Sequence, residues 1–139
     1  VNGSTQETDS PDSVTKIKGR KEFLEKLDNI QKELDALPEK KDSDAGMTNG
    51  MKIYFAKSYE EYDKELNDIY NLLRENLSKD VMEDLKTKQI EWINQKETAA
   101  KEEESNYEGG TFEFVAGYIS LYQSTKERCY ELVNEYMED

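Results

Sequence analysis

The sequence predicts an all-α protein: an antiparallel three-helix bundle with an additional N-terminal helix. Apolar residues recur every three or four positions in four separate stretches, and charged residues (37%) outnumber apolar ones (35%). That balance suits helices that each bury one stripe and wet the rest. Nine tyrosines and four phenylalanines place much of the burial in aromatic rings, and only two prolines interrupt the chain. No alternating strand pattern runs longer than a few residues around TFEFV.

Residues 1–20, VNGSTQETDSPDSVTKIKGR, are rich in Ser, Thr, Asp and Gly and read as a flexible tether. In residues 21–37, Leu24, Leu27, Ile30, Leu34 and Leu37 step at helical spacing with Phe23 beside them. Pro38 ends that helix, and PEKKDSDAGMTNG reads as a polar linker, so 21–46 forms one N-terminal unit. A second helix starts near Lys52 and carries Phe55, Tyr59, Tyr62, Leu66, Ile69, Leu73 and Leu77 in a near-heptad beat. The NLSKD break is short enough to make the second and third helices antiparallel neighbours, with Ser78 or Asp80 as cap and Glu83 completing a capping box. The third helix runs through Val81, Leu85, Gln89, Trp92, Lys96 and Ala99 or Ala100, on a thinner stripe. KEEESNYEGGTFEF then reads as an acidic loop over 102–113 reversing at Gly109-Gly110. The fourth helix has the cleanest stripe: Val115, Tyr118, Tyr122, Thr125, Cys129, Leu132 and Tyr136.

Charge and missing residue types narrow the chemistry. The net charge is −13, and residues 47–139 alone hold 21 acidic against 11 basic side chains, a balance of −10. Such a surface repels nucleic-acid phosphate and anionic membrane and attracts cationic proteins. The chain contains no histidine and one cysteine, Cys129. It therefore has no Ser-His or Cys-His catalytic pair, no histidine-containing zinc site and no internal disulfide. Carboxylate pairs such as Glu60-Glu61 and Glu83-Asp84 are adjacent on helices, so they point apart and stay solvated instead of sharing a cleft. Gly109-Gly110 lacks the surroundings of a phosphate loop, and no stretch has calcium-loop spacing. No cofactor, metal site or enzymatic activity is expected. Trp92 reads as a packing anchor between helices, with Gln89 one turn earlier seeking a partner such as Asn67. Cys129 reads as a small buried hydrophobe.

YDKELNDIYNLL (62–73), KTKQIEWINQKETA (86–99), EGG (108–110) and STKERCYEL (124–132) occur in an order that resembles the LprI-like lysozyme-inhibitor family. The resemblance covers roughly residues 48–137. It rests on Leu66-Asn67 with Tyr70, Gln89 with Trp92, Lys96-Glu97 where the family favours Arg-Asp, Gly109-Gly110, and Thr125 with Arg128 and Leu132. It implies a helical, extracytoplasmic domain, with lysozyme as partner, over residues 47–139. Family members often carry a cysteine pair near the positions occupied here by Ala100 and Ser120, which implies a bridge lost as a unit. The matched residues Asn67, Gln89, Trp92, Thr125 and Arg128 read as a network tying helices together.

The expected function is a non-enzymatic extracytoplasmic binding protein that inhibits lysozyme through an acidic surface. The contact residues would be Glu102, Glu103, Glu104 and Glu108, with Tyr107 as an aromatic anchor. The chain begins VNGSTQ and reads as a mature or trimmed form, so any membrane association would run through an N-terminal lipid anchor outside this chain. The alternative is a scaffold module whose N-terminal helix recruits a partner helix or a second copy.

Overall fold

The computed structural model describes residues 14–139, and all of its long elements are helical. In chain order they are β1 (Ile17–Lys18), α1 (Arg20–Asp35), α2 (Pro38–Asp44), α3 (Thr48–Asn76), α4 (Lys79–Ser105), α5 (Glu113–Tyr136) and β2 (Met137–Glu138).

Contacts between side chains define how the helices run. Phe55 lies 5.7 Å from Tyr122 between ring centroids, and seven residues later on both helices the Cys129 thiol donates to the Tyr62 carbonyl at 3.4 Å. Helices α3 and α5 are therefore parallel. Ser58, Thr125 and Cys129, all fully buried, lie on the facing stripes and let the two helices approach closely. Helix α4 runs antiparallel to α5, with Gln89 opposite Arg128 and Glu104 opposite Gly117. Helices α3 and α4 meet at a greater distance, with Lys96 reaching Tyr59, and α5 is the close neighbour of both. The short turn sets α3 and α4 antiparallel, and α5 takes the tighter place beside each.

The N-terminal helix is an integral member of the fold. Leu27 and Leu34 of α1 enter the core with Tyr62, Leu66, Ile69, Leu73, Leu85, Leu132 and Val133, and Phe23, Leu24 and Ile30 pack against it. The Tyr62 hydroxyl donates to the Leu27 carbonyl at 3.1 Å, and Lys26 pairs with Glu65, so α1 runs antiparallel to α3. The apolar stripe that the scaffold reading assigned to a second helix is used inside the chain's own core.

Three local readings change. The tether expected over 1–20 lies outside the described residues as far as residue 13. From there, Ile17 pairs in parallel with Met137 and Lys18 with Glu138, and the Gly19 N–H donates to the Glu138 carbonyl at 3.0 Å. A pairing between residues so distant leaves no mark in local periodicity. Gly19, at φ 111°, takes a left-handed conformation between this strand and α1 that other residues resist. The expected linker 38–46 contains helix α2, which begins at Pro38, where a proline is tolerated because a first-turn N–H has no helical partner. Ser78 does occupy the N-cap of α4, but no side-chain cap bond forms; its N–H instead donates to the Val14 carbonyl at 2.9 Å. Asp80 lies inside the first turn and is not the head of a capping box.

A polar cluster centred on Gln31 joins α1 to both α3 and α5. The Gln31 amide donates to Asp35 at 2.8 Å and to the Tyr54 hydroxyl at 3.2 Å, while its oxygen accepts from Tyr122 and from Lys126. Tyr54 also donates to Asp35 at 2.6 Å. That hydrogen bond, assisted by Gln31 and by the nearby Lys40 and Lys126 and opposed by burial, lowers the Asp35 carboxyl below its ordinary 3.8. A depressed folded-state value contributes stability above the unfolded value and loses it as pH falls through the folded one. Asp35→Asn should therefore destabilise at neutral pH, and its difference from wild type should shrink once pH falls below about 4. Urea titrations between neutral and acid pH check this; a constant difference would show that the charge is irrelevant.

Candidate functional site

The acidic residues expected in a loop lie mostly on a helix. Helix α4 continues to Ser105, because glutamates and lysine sustain helical backbone, and only residues 106–112 form the connection to α5. Glu102 and Glu103 are exposed in the last turn of α4, and Glu108 is exposed in the connection. Glu104 is half-buried: its side chain lies over Gly117 of α5, where an added Cβ would come within 2.8 Å of the Glu104 Cγ. Among the described residues none of these four carboxylates forms an ion pair. The last turn of α4 holds no basic residue, so the partial negative charge of the helix C-terminus adds to theirs.

Tyr107 stands at this corner with 46% of its surface exposed. Its ring meets Phe112 edge-on at 4.8 Å, which holds it without covering it. The turn beneath is closed by Gly110 N–H donating to the Tyr107 carbonyl at 2.9 Å, and Gly109 supplies the left-handed conformation at φ 78°. Beside Tyr107 is a hollow of about 280 Å³ lined by Glu103, Phe112, Ala116, Ile119 and Ser120. The corner thus places carboxylates next to an aromatic ring and a shallow recess of mixed lining.

The other matched residues divide between core and groove. Leu66 is buried and Tyr70 half-buried on α3. Asn67 is exposed, since it lies one position, about 100°, off the buried stripe, so it does not meet Gln89. Gln89 is buried and accepts from Arg128 Nε at 2.9 Å, and Arg128 also reaches Glu131 through Nη1. Arg128 Nη2 and the hydroxyl of fully buried Thr125 have no hydrogen-bond partner among the described residues. Trp92 is half-buried at the edge of the core, with the Lys96 ammonium 5.1 Å from its ring centroid. Trp92, Lys96 and Arg128 share a groove between α4 and α5. Of the expected network, then, the structure joins Gln89 to Arg128, sets Trp92 beside them and leaves Asn67 outside.

Ala100 and Ser120 fall between the Gln89–Arg128 and Glu104–Gly117 pairings, at matching levels of the antiparallel α4 and α5. Cys129 lies elsewhere, fully buried against α3, and burial pushes its thiol well above the ordinary thiol range. A thiol so held is no nucleophile at neutral pH. Among the described residues, no three His, Cys, Asp or Glu side chains are placed to hold a metal ion. No helix among them is long and apolar enough to cross a membrane.

Glu65 is the acidic residue directly before Leu66-Asn67 in the matched stretch 62–73. It stands three residues after Tyr62 and four before Ile69, on the buried stripe of α3, and is 4% exposed. Lys26 of α1 reaches one of its oxygens at 3.1 Å.

A family model described as lysozyme inhibitor LprI matches residues 39–132, from α2 to near the end of α5. No curated protein and no solved structure matches the chain.

Proposed function

The chain belongs to the lysozyme inhibitor LprI family, and on that premise we propose that it is a non-enzymatic, extracytoplasmic protein that binds and inhibits a lysozyme-type partner. The acidic corner at the end of α4 carries this reading. Glu102, Glu103 and Glu108 are exposed, without an ion pair among the described residues, and set against the negative pole of a helix, an arrangement that does nothing for the stability of the folded chain. A cationic protein approaching this corner meets both the carboxylates and the helix terminus. Long-range attraction of this kind accelerates association and orients the partner. Tyr107 and the recess beside it offer an anchor for close contact, which opposite charge alone does not supply.

Replacing Glu102, Glu103, Glu104 and Glu108 together by glutamine should weaken binding to a c-type lysozyme at least tenfold, about 1.4 kcal/mol. The helical content should remain. Calorimetric titration at physiological salt, with muramidase activity followed in parallel, checks this. Unchanged affinity would remove the corner from the contact surface. Wild-type binding that disappears with added salt, without inhibition, would reduce the interaction to unspecific charge attraction.

A further inference from the structure

A second acidic surface lies between α1 and α3, away from the corner. It is a groove of about 510 Å³. Glu22, Glu25 and Glu33 of α1 face Glu61, Glu65 and Asp68 of α3 across it, against only two cations, Lys26 and Lys64. Acidic side chains on a helical surface are ordinarily solvated and mean little. Glu65 differs, because its side chain is only 5% exposed. Its Oε1 holds Lys26, whereas its Oε2 is shut off from solvent and has no hydrogen-bond partner among the described residues. A buried carboxylate oxygen left unpaired is costly, and a donor reaching it gains correspondingly. Lys26 is a loose occupant: its own side chain is 55% exposed, and its ammonium is one compact charge that covers one oxygen.

We propose that this groove is a socket for an arginine side chain of a cationic protein partner, with Glu65 as its floor. The inference rests on the reading of the chain as a binder of such a protein. A guanidinium fits the position better than an ammonium, because its planar fork reaches two acceptors at once and it is more weakly hydrated. Displacing Lys26 opens the way to Glu65 Oε2, which solvent does not reach in the closed groove; one arm then meets it, and the other meets a rim carboxylate. Lys26 swings out towards the Phe23 ring, which it already faces at 5.7 Å from the centroid. The α1 wall lies outside the residues that match the family model, whereas Glu65 and the α3 wall lie inside them.

The full chain, labelled for amide NMR, is titrated with the peptide acetyl-Gly-Arg-Gly-amide and with the same peptide carrying citrulline, which keeps the shape and lacks the charge. The arginine peptide should shift amides within 22–33 and 61–68, the citrulline peptide should not, and Glu65→Gln should abolish the shifts. Glu25→Gln with Glu61→Gln, changed at the exposed rim, should weaken them without touching the core. Shifts spread equally over the groove and residues 102–108, shifts that persist in Glu65→Gln, or no shifts at all would overturn the socket. Titration with a c-type lysozyme separates the two proposals. If lysozyme binds wild type and Glu65→Gln equally, the socket falls and the family function stands. If lysozyme does not bind, the function falls, and the peptide result alone decides the socket. A tenfold loss on Glu65→Gln supports both.

Discussion

Leu27→Ala should destabilise the protein by about 2–5 kcal/mol, the cost of removing a fully enclosed leucine and leaving part of its cavity unfilled. The side chain is 0% exposed, and it lies where α1 meets the bundle: its own carbonyl accepts the Tyr62 hydroxyl, and Tyr62 is itself 0% exposed. The residues matched to the family begin only at 39, so a naive division of the chain would discard this helix. Deleting residues 1–46 should accordingly abolish cooperative unfolding, because it strips the cover from Tyr62, Leu66 and Ile69. Urea denaturation followed by circular dichroism measures both effects. A loss under about 0.5 kcal/mol for Leu27→Ala, the size of an ordinary surface substitution, would show that α1 is detached in solution.

Two glycine substitutions should give opposite results. At Gly50 a Cβ would fall 2.5 Å from the Asp42 Cβ and 3.2 Å from backbone atoms of Asp42 and Ser43. Those atoms belong to α2 itself and cannot rotate aside, so the short helix must move as a body. Gly50→Ala should cost about 1–3 kcal/mol through overpacking, despite the better helix propensity of alanine. At Gly117 the obstacle is the Glu104 side chain, at 2.8–2.9 Å. That chain can swing into solvent, and alanine gains up to about 1 kcal/mol of propensity in a helix interior. Gly117→Ala should be neutral or stabilising, and it should leave Glu104 more exposed at the acidic corner. Thermal melts of the two variants side by side decide the matter; equal losses would mean that Glu104 is fixed as firmly as α2.

The helical class and the buried stripes were legible because burial repeats every three or four residues: Tyr62, Leu66, Ile69, Leu73, Leu85, Cys129 and Leu132 are all in the core. Periodicity does not say which helices meet. The short NLSKD break points to α3 and α4 as neighbours, whereas the small residues Ser58, Thr125 and Cys129 draw α3 and α5 together. Nor does it carry the pairing of Ile17 with Met137, which depends on the finished fold. The acidic run was visible as composition. Its division between helix and turn depended on how far α4 would continue against unfavourable charge. Asn67 shows the limit of motif reasoning: a residue can belong to a family pattern and still face water one step from the buried line. Glu65 shows the converse, since a charged residue on an apolar stripe was readable as unusual, while its unpaired oxygen was not.

The parallel strands β1 and β2 bear on the order in which the molecule assembles. The bond from Lys18 to Asp139 joins residues 121 apart, nearly the whole described chain. Closing so long a loop yields little until the intervening helices have already brought its ends together. The clasp between the two ends should therefore form late, after α3 and α5 have docked, and yield early when the protein opens. Fraying of either strand releases the other, so residues 17–19 and 137–139 should exchange their amide protons as one unit. The Arg20 side chain, reaching Asn134 and Asp139, belongs to the same closing step.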